Sequence, residues 1–75
     1  MLLAENIFTA PSFELHGRRL LKAQGVMTLV EYTEEKVTML CRSSRISIRG
    51  TDLQVAMLAH DRAVITGQIN GLEFF

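Results

Sequence analysis

The chain has one cysteine, one proline, no tryptophan and no excess of either charge among its 75 residues. Because Cys41 is the only cysteine, no disulfide can form within the chain, and His16 and His60 lie too far apart in sequence for zinc-ligand spacing. A domain of this length buries only about 60% of the surface that its unfolded chain exposes. We therefore expect stability to come from a tight core or from association of subunits.

The charges balance: eight basic and eight acidic side chains give a formal net charge of zero. Proteins that bind nucleic acids generally carry a basic excess or a basic face, so this balance argues against a general nucleic-acid binder. Chains near neutrality also associate more readily than highly charged ones. The composition therefore favours a protein that associates with other proteins.

The first residues, MLLAENIFTAP, are apolar but lack the basic start and the long apolar run of a signal peptide. No segment approaches the ~20 apolar residues that span a bilayer. We therefore expect a cytoplasmic location. We further expect residues 1–11 to form a short arm, either helical or extended and ended by Pro11, and residues 12–75 to form one β domain.

Strand signals dominate from Ser12 onward, because apolar and polar residues alternate in short runs. The clearest stretch is RISIRGTDLQVAML, residues 45–58, which predicts two strands joined at Gly50, where the glycine marks a bulge or a tight corner. The expected fold is all-β: a small antiparallel sheet or a two-layer sandwich of short, glycine-kinked strands. Further strands are predicted over 12–16, 19–23, 26–32, 36–42, 63–69 and 72–75.

Glycines mark the predicted turns and corners. Asn70-Gly71 is a strong signal for a type I′ hairpin turn, and we expect positive φ angles at Gly17 and Gly50. A weak repeat, LHGRRL, IRGTDL and ITGQI, predicts three corners at which the chain moves between sheet layers. The glycines with an expected structural role are Gly17, Gly25, Gly50, Gly67 and Gly71.

Two stretches, residues 26–30 and 53–58, are apolar on both faces of a predicted strand. A strand that is apolar on both sides lies either in the centre of a stack or at a subunit contact, and 75 residues leave little room for the first. We expect a homo-oligomer. The candidate subunit interface consists of Val26, Met27, Leu29, Val30, Leu53, Val55, Ala56, Leu58 and Phe74.

The residues that could carry chemistry are few. Cys41 shares a predicted inner face with Val37 and Met39, which is typical of an inert buried thiol. His60-Asp61 falls in a predicted turn, and no third group completes a catalytic triad. Because no phosphate-binding loop, metal motif or carboxylate pair is present, we expect no enzymatic activity, no cofactor or metal, and no small-molecule substrate.

Arginines offer an alternative function. Arg45 and Arg49 are four residues apart, so a strand would project them to the same side. Together with neighbouring arginines they could bind an anionic partner such as nucleic acid or a lipid surface, although Glu34 and Glu35 could neutralise the face. This candidate anionic-partner face consists of Arg18, Arg19, Arg42, Arg45 and Arg49.

From Ser12 to the end, the order of motifs resembles the YabP/YqfC family of sporulation proteins. The matching elements are Gly25-Val26, the acidic turn Glu31 to Glu35, Ile48-Gly50-Leu53-Val55, Gly67-Ile69 and Leu72-Phe74. The chain departs from the family pattern at Cys41 to Ser44, where members usually carry a threonine and a glycine. The resemblance does not distinguish the YabP branch from the YqfC branch.

The resemblance implies a small, non-enzymatic protein of endospore-forming bacteria that is made in the mother cell. Members of the family are typically encoded beside integral membrane proteins. The resemblance therefore implies an integral membrane protein as partner and a location in the mother-cell cytoplasm, at the forespore membrane. It carries over no catalytic residues.

Overall fold

The computed structural model describes residues 12–25, 27–41, 44–59 and 61–74. The expected N-terminal arm, Val26, Arg42 and His60 lie outside the described residues. Six strands and no helix occur in the described part. The strands are β1 (Ser12–His16), β2 (Leu20–Gln24), β3 (Met27–Tyr32), β4 (Lys36–Cys41), β5 (Ser44–Ala59) and β6 (Arg62–Phe74).

All six strands belong to one open antiparallel sheet in the order β1-β2-β6-β5-β4-β3. Each neighbouring pair is antiparallel. The all-β, antiparallel fold expected from the alternation is therefore confirmed. Polar turns are expected from the sequence at residues 17–18 and 33–36, and the structure has them at residues 17–19 and 33–35.

The sheet is strongly coiled, and the short link from β2 to β3 requires it. Gln24 ends β2 and Met27 begins β3, yet β6, β5 and β4 lie between these two strands in the sheet. In a flat sheet, four strand spacings of about 4.8 Å would separate β2 from β3 by ~19 Å. A step of three residues covers only ~11 Å, so the two ends of the sheet must curve toward each other.

Coiling gives the sheet a single core on its concave side. β2 and β4 do not pair, but Leu21 and Ala23 of β2 share one buried cluster with Val37 and Met39 of β4. All four side chains are at most 1% exposed. Full burial of one large aliphatic side chain stabilises a fold by roughly 1.5–3 kcal/mol. The cluster is completed by Cys41, Ile46, Ile48, Leu53, Ala63, Ile65 and Ile69.

The two long strands change partners at a common corner. The first part of β5 pairs with β4 up to Arg49, and its second part pairs with β6 alone. At the corner, a β-carbon on Gly50 would overlap the carbonyl oxygen of Gln68, and one on Gly67 would overlap the carbonyl oxygen of Asp52. Glycine at both positions therefore lets the backbones of β5 and β6 approach closely.

The prediction of two strands joined at Gly50 is wrong, because residues 45–58 lie within the single strand β5. Gly50 does not have a positive φ angle; the positive values nearby belong to Asp52 (55°) and Gly67 (124°). Register shifts between Arg49 and Gly50 and between Thr51 and Gln54 absorb the bend. A bulge lets a strand turn without ending, which alternation alone does not reveal.

The predicted hairpin turn at Asn70-Gly71 is also wrong. Both residues lie inside β6, and Gly71 pairs with Arg49 of β5. Continuous pairing with β5 overrides the local turn signal. Of the three predicted glycine corners, the one at Gly17 is a turn with the expected positive φ angle (61°). The other two, at Gly50 and Gly67, form one shared corner.

Candidate interaction surface

The second half of β5, which contains the predicted contact stretch 53–58, is linked to the end of β3 and to the turn that follows it. The Leu53 N–H donates to the Glu34 carbonyl at 2.8 Å, and the Val55 N–H donates to the Tyr32 hydroxyl at 3.3 Å. We call this region the β3–β5 side, defined by residues 28–32 of β3 and residues 53–59 of β5.

The β3–β5 side combines covered and open apolar residues. Leu29 and Val55 are partly buried and pack against the core. Val30 is 49% exposed and Leu58 is 47% exposed. Ala56 is also exposed, so the open part of this surface is apolar on both strands.

Two of the predicted interface residues do not belong to this surface, and two others cannot be placed on it. Leu53 is fully buried, because the corner at Gly50 directs its side chain into the core of the same chain. Phe74 lies at the other edge, where its ring packs edge-on against Phe13 of β1 with centroids 5.4 Å apart. Val26 and the side chain of Met27 lie outside the described part.

A bulge also changes which β5 residues share a face. The alternation predicts Leu53, Val55 and Met57 on one side, but the register shifts between Val55 and Met57. After the shift, Leu58 lies opposite buried Ala63 and therefore shares the core side with Val55. Met57 instead points to the outer side, and it is 39% exposed.

The convex face of the sheet carries a closed hydroxyl network. The side chains of Thr38 on β4 and Ser47 on β5 are 5% and 1% exposed, and their oxygens lie 3.2 Å apart. The Thr38 hydroxyl donates to Glu31 Oε1 at 3.4 Å. Since each hydroxyl has one proton, Ser47 then donates to Thr38. The network is internally satisfied and leaves no unpartnered buried side-chain atom in the described part.

Charged pairs frame this network. Arg45 and Arg49 are exposed on β5, on either side of Ser47. Arg49 Nε lies 3.8 Å from Glu73 Oε1, which partly neutralises it. Lys36 Nζ similarly lies 3.6 Å from an oxygen of Glu31. Exposed pairs of this kind contribute about 0–1 kcal/mol.

The remaining predicted arginines do not extend the face along β5. Arg18 and Arg19 lie in the turn between β1 and β2, where their carbonyls accept hydrogen bonds from Ile69 and Gly67. Arg42 lies outside the described residues. The described arginines of the candidate face therefore occupy two places, a strand face with an acidic neighbour and a turn at the corner.

Cys41 ends β4 and its side chain is 1% exposed. Burial raises the pKa of its thiol above the usual value of 9.0, because a thiolate loses hydration inside the core. A nucleophilic cysteine needs the opposite shift. Within the described ranges, no group of three or more His, Cys, Asp or Glu side chains is placed to hold a metal ion.

Sequence comparison identifies a family. The sequence model of the YabP family matches residues 9–75, which is most of the chain. No curated protein and no solved structure gives a significant match. Among the described residues, no helix is long and apolar enough to cross a membrane.

Proposed function

Because the chain belongs to the YabP family, we propose that it is a non-enzymatic, self-associating scaffold protein of endospore formation. Family membership is consistent with a role related to sporulation, and the family is not a known enzyme family. The buried Cys41 and its raised pKa support the non-enzymatic part of the proposal.

The proposal of self-association rests on the β3–β5 side. It presents two strand edges that no described strand covers, together with exposed apolar residues on both strands. Uncovered apolar edges favour pairing with another chain. A small domain gains core area by such pairing, which offsets its limited buried surface.

We propose in addition that the scaffold acts in the mother-cell cytoplasm with an integral membrane protein at the forespore membrane. The support for this part is the family resemblance, since members are typically encoded beside membrane proteins. The arginine face is the weaker alternative. Its strand residue Arg49 already has the acidic partner Glu73.

Light scattering at micromolar concentration tests self-association. We expect a mass above the 8.4 kDa of one chain, and we expect Leu58→Glu to lower it because a charge in an apolar contact is costly. Leu15→Glu is the matched control, since Leu15 is 46% exposed but lies on β1, at the opposite end of the sheet from β3. A monomeric wild-type chain would refute the scaffold proposal.

Deletion of the gene tests the biological role. We expect normal vegetative growth and a reduced yield of heat-resistant spores, with restoration by the wild-type gene and not by the Leu58→Glu variant. A normal spore yield after deletion, or a source organism that forms no endospores, would contradict the role. Binding to anionic vesicles or DNA that weakens with salt would instead support the arginine face.

A further inference from the structure

We propose, on the basis of the proposed self-association, that two copies pair antiparallel along the free edge of β5, with Leu58 opposite Leu58 of the second copy. We define the β5 free edge as residues 56–59. Along this stretch β5 pairs with β6 on one side, and no described strand pairs with its other side.

The distribution of charge selects this edge over the others. In a two-fold symmetric contact each residue lies near its own counterpart, so a charged residue at the centre faces a like charge. The other free edges each carry a carboxylate: Glu14 on β1, Glu31 on β3 and Glu73 on the end of β6. Residues 53–59, LQVAMLA, carry no charge. Among the described free edges, this one carries no charged residue, so it can face itself in any register without like-charge repulsion.

The alternation of faces then limits the possible registers. Paired residues of a continuous sheet lie on the same face, so the two-fold axis must pass through a residue position rather than between two. An axis at Leu58 places Met57 opposite Ala59 of the second copy. Met57 and Ala59 share the outer face, because their partners on β6, Val64 and Arg62, are two residues apart. The small Ala59 leaves room for the methionine side chain.

The existing hydrogen bonds limit the length of the pairing. The Val55 N–H is already taken by the Tyr32 hydroxyl, and the Leu53 N–H by the Glu34 carbonyl. Pairing with a second copy therefore starts beyond Val55. It joins β1-β2-β6-β5 of one copy to the same four strands of the other, which gives a continuous layer of eight strands.

Cysteine cross-linking of the full-length chain tests this register. In the proposed dimer the two Leu58 Cα atoms lie about 4.5–5.5 Å apart, a distance that a disulfide can bridge. The test variant is Leu58→Cys and the control is Val30→Cys, since Val30 is equally exposed on the same side. Both variants keep the native Cys41, which is buried. Pairing raises the local thiol concentration from micromolar to ~mM, so we expect Leu58→Cys to oxidise to a covalent dimer ~100-fold faster.

A second pair of variants keeps Leu58 intact. Met57→Cys and Ala59→Cys, mixed together, should form a mixed disulfide dimer faster than either variant alone. The reduced forms are checked by light scattering to show that they associate like the wild type.

The outcomes separate this inference from the proposed function. If the wild type associates but neither Leu58→Cys nor the mixed pair cross-links faster than Val30→Cys, the β5 pairing is wrong and self-association stands. Preferential cross-linking through Val30→Cys likewise overturns the pairing. If the wild type is monomeric, the scaffold proposal itself fails.

Discussion

The Cα of Gly50 lies against the carbonyl of Gln68 so closely that a β-carbon at position 50 would overlap the oxygen. The same β-carbon would lie 2.8 Å from Cδ2 of the buried Leu53. This contact holds β5 and β6 together where both strands change partners. Steric fit rather than backbone angle therefore requires glycine at this position.

We expect Gly50→Ala to lower the free energy of unfolding by about 2–3 kcal/mol, because backbone must move to admit the methyl group. Gly71→Ala is the control. Gly71 also lies in a strand, but its β-carbon would meet no atom within 4 Å, so the change should be neutral or slightly stabilising. Chemical denaturation of both variants checks this prediction, and equal midpoints for the two would contradict it.

The hydroxyl pair Thr38–Ser47 predicts a non-additive effect. Thr38→Val leaves the buried Ser47 hydroxyl without its partner and should cost about 1–2 kcal/mol. Adding Ser47→Ala removes the orphaned hydroxyl, so the double variant should be more stable than the sum of the single changes predicts, by about 1 kcal/mol. A double-mutant cycle measured by denaturation tests this. Simple additivity would show that the hydroxyls are not coupled.

The thiol of Cys41 should resist alkylation in the native protein, because it is 1% exposed and burial raises its pKa. We expect iodoacetamide to react at pH 8 only after denaturant unfolds the chain. Fast labelling of the native protein, counted by mass spectrometry, would revive the possibility of a reactive thiol.

The same shift predicts a pH dependence. Because the pKa is higher in the folded state than the usual 9.0, the unfolded chain loses the thiol proton first as pH rises. The contribution of the Cys41 thiol to the free energy of unfolding is therefore fully present below pH 9 and is lost as pH rises through the pKa of the folded state. Cys41→Val is the control, since it removes the titrating thiol and keeps the site apolar. The wild type should lose more stability than Cys41→Val between pH 8 and pH 10, and parallel curves would contradict the assignment.

The sequence is sufficient to predict the fold class and most of the strand positions. The sequence pattern identifies the bounds of β1, β3 and β4 to within one residue, because each is a short run of strand-forming residues bounded by a turn or a glycine. Alternation does not predict which β5 side chains share a face, because register shifts next to Gly50 and Val55 move the residues that follow to the other face. Glycine signals the shift at Gly50, where a bulge or a tight corner is expected, but no glycine marks the shift between Val55 and Met57, whose position depends on the partner strand.

The exposure of the predicted interface residues also could not be predicted from the local sequence alone. Val30 and Leu58 are exposed as expected, but Leu53, in an equally apolar stretch, is fully buried. The difference arises at the corner, where the Leu53 N–H bonds to Glu34 and the strand turns inward. That contact joins residues far apart in sequence, so the burial of Leu53 follows from the topology. The contact between the end of β3 and β5 could not be predicted from the sequence either, since no local pattern encodes which strands become edges.

The hydrogen bond between Val55 and Tyr32 gives the last prediction. The Tyr32 hydroxyl accepts from the Val55 N–H at 3.3 Å across the two strand edges. Tyr32→Phe keeps the ring and removes the acceptor, so we expect a loss of about 0.5–1.5 kcal/mol in unfolding free energy. The Val55 amide should also exchange its hydrogen faster, while buried amides such as that of Met39 keep their protection. Hydrogen exchange measured by NMR tests both amides. Unchanged exchange at Val55 would mean that the tyrosine hydroxyl does not hold the two edges together in solution.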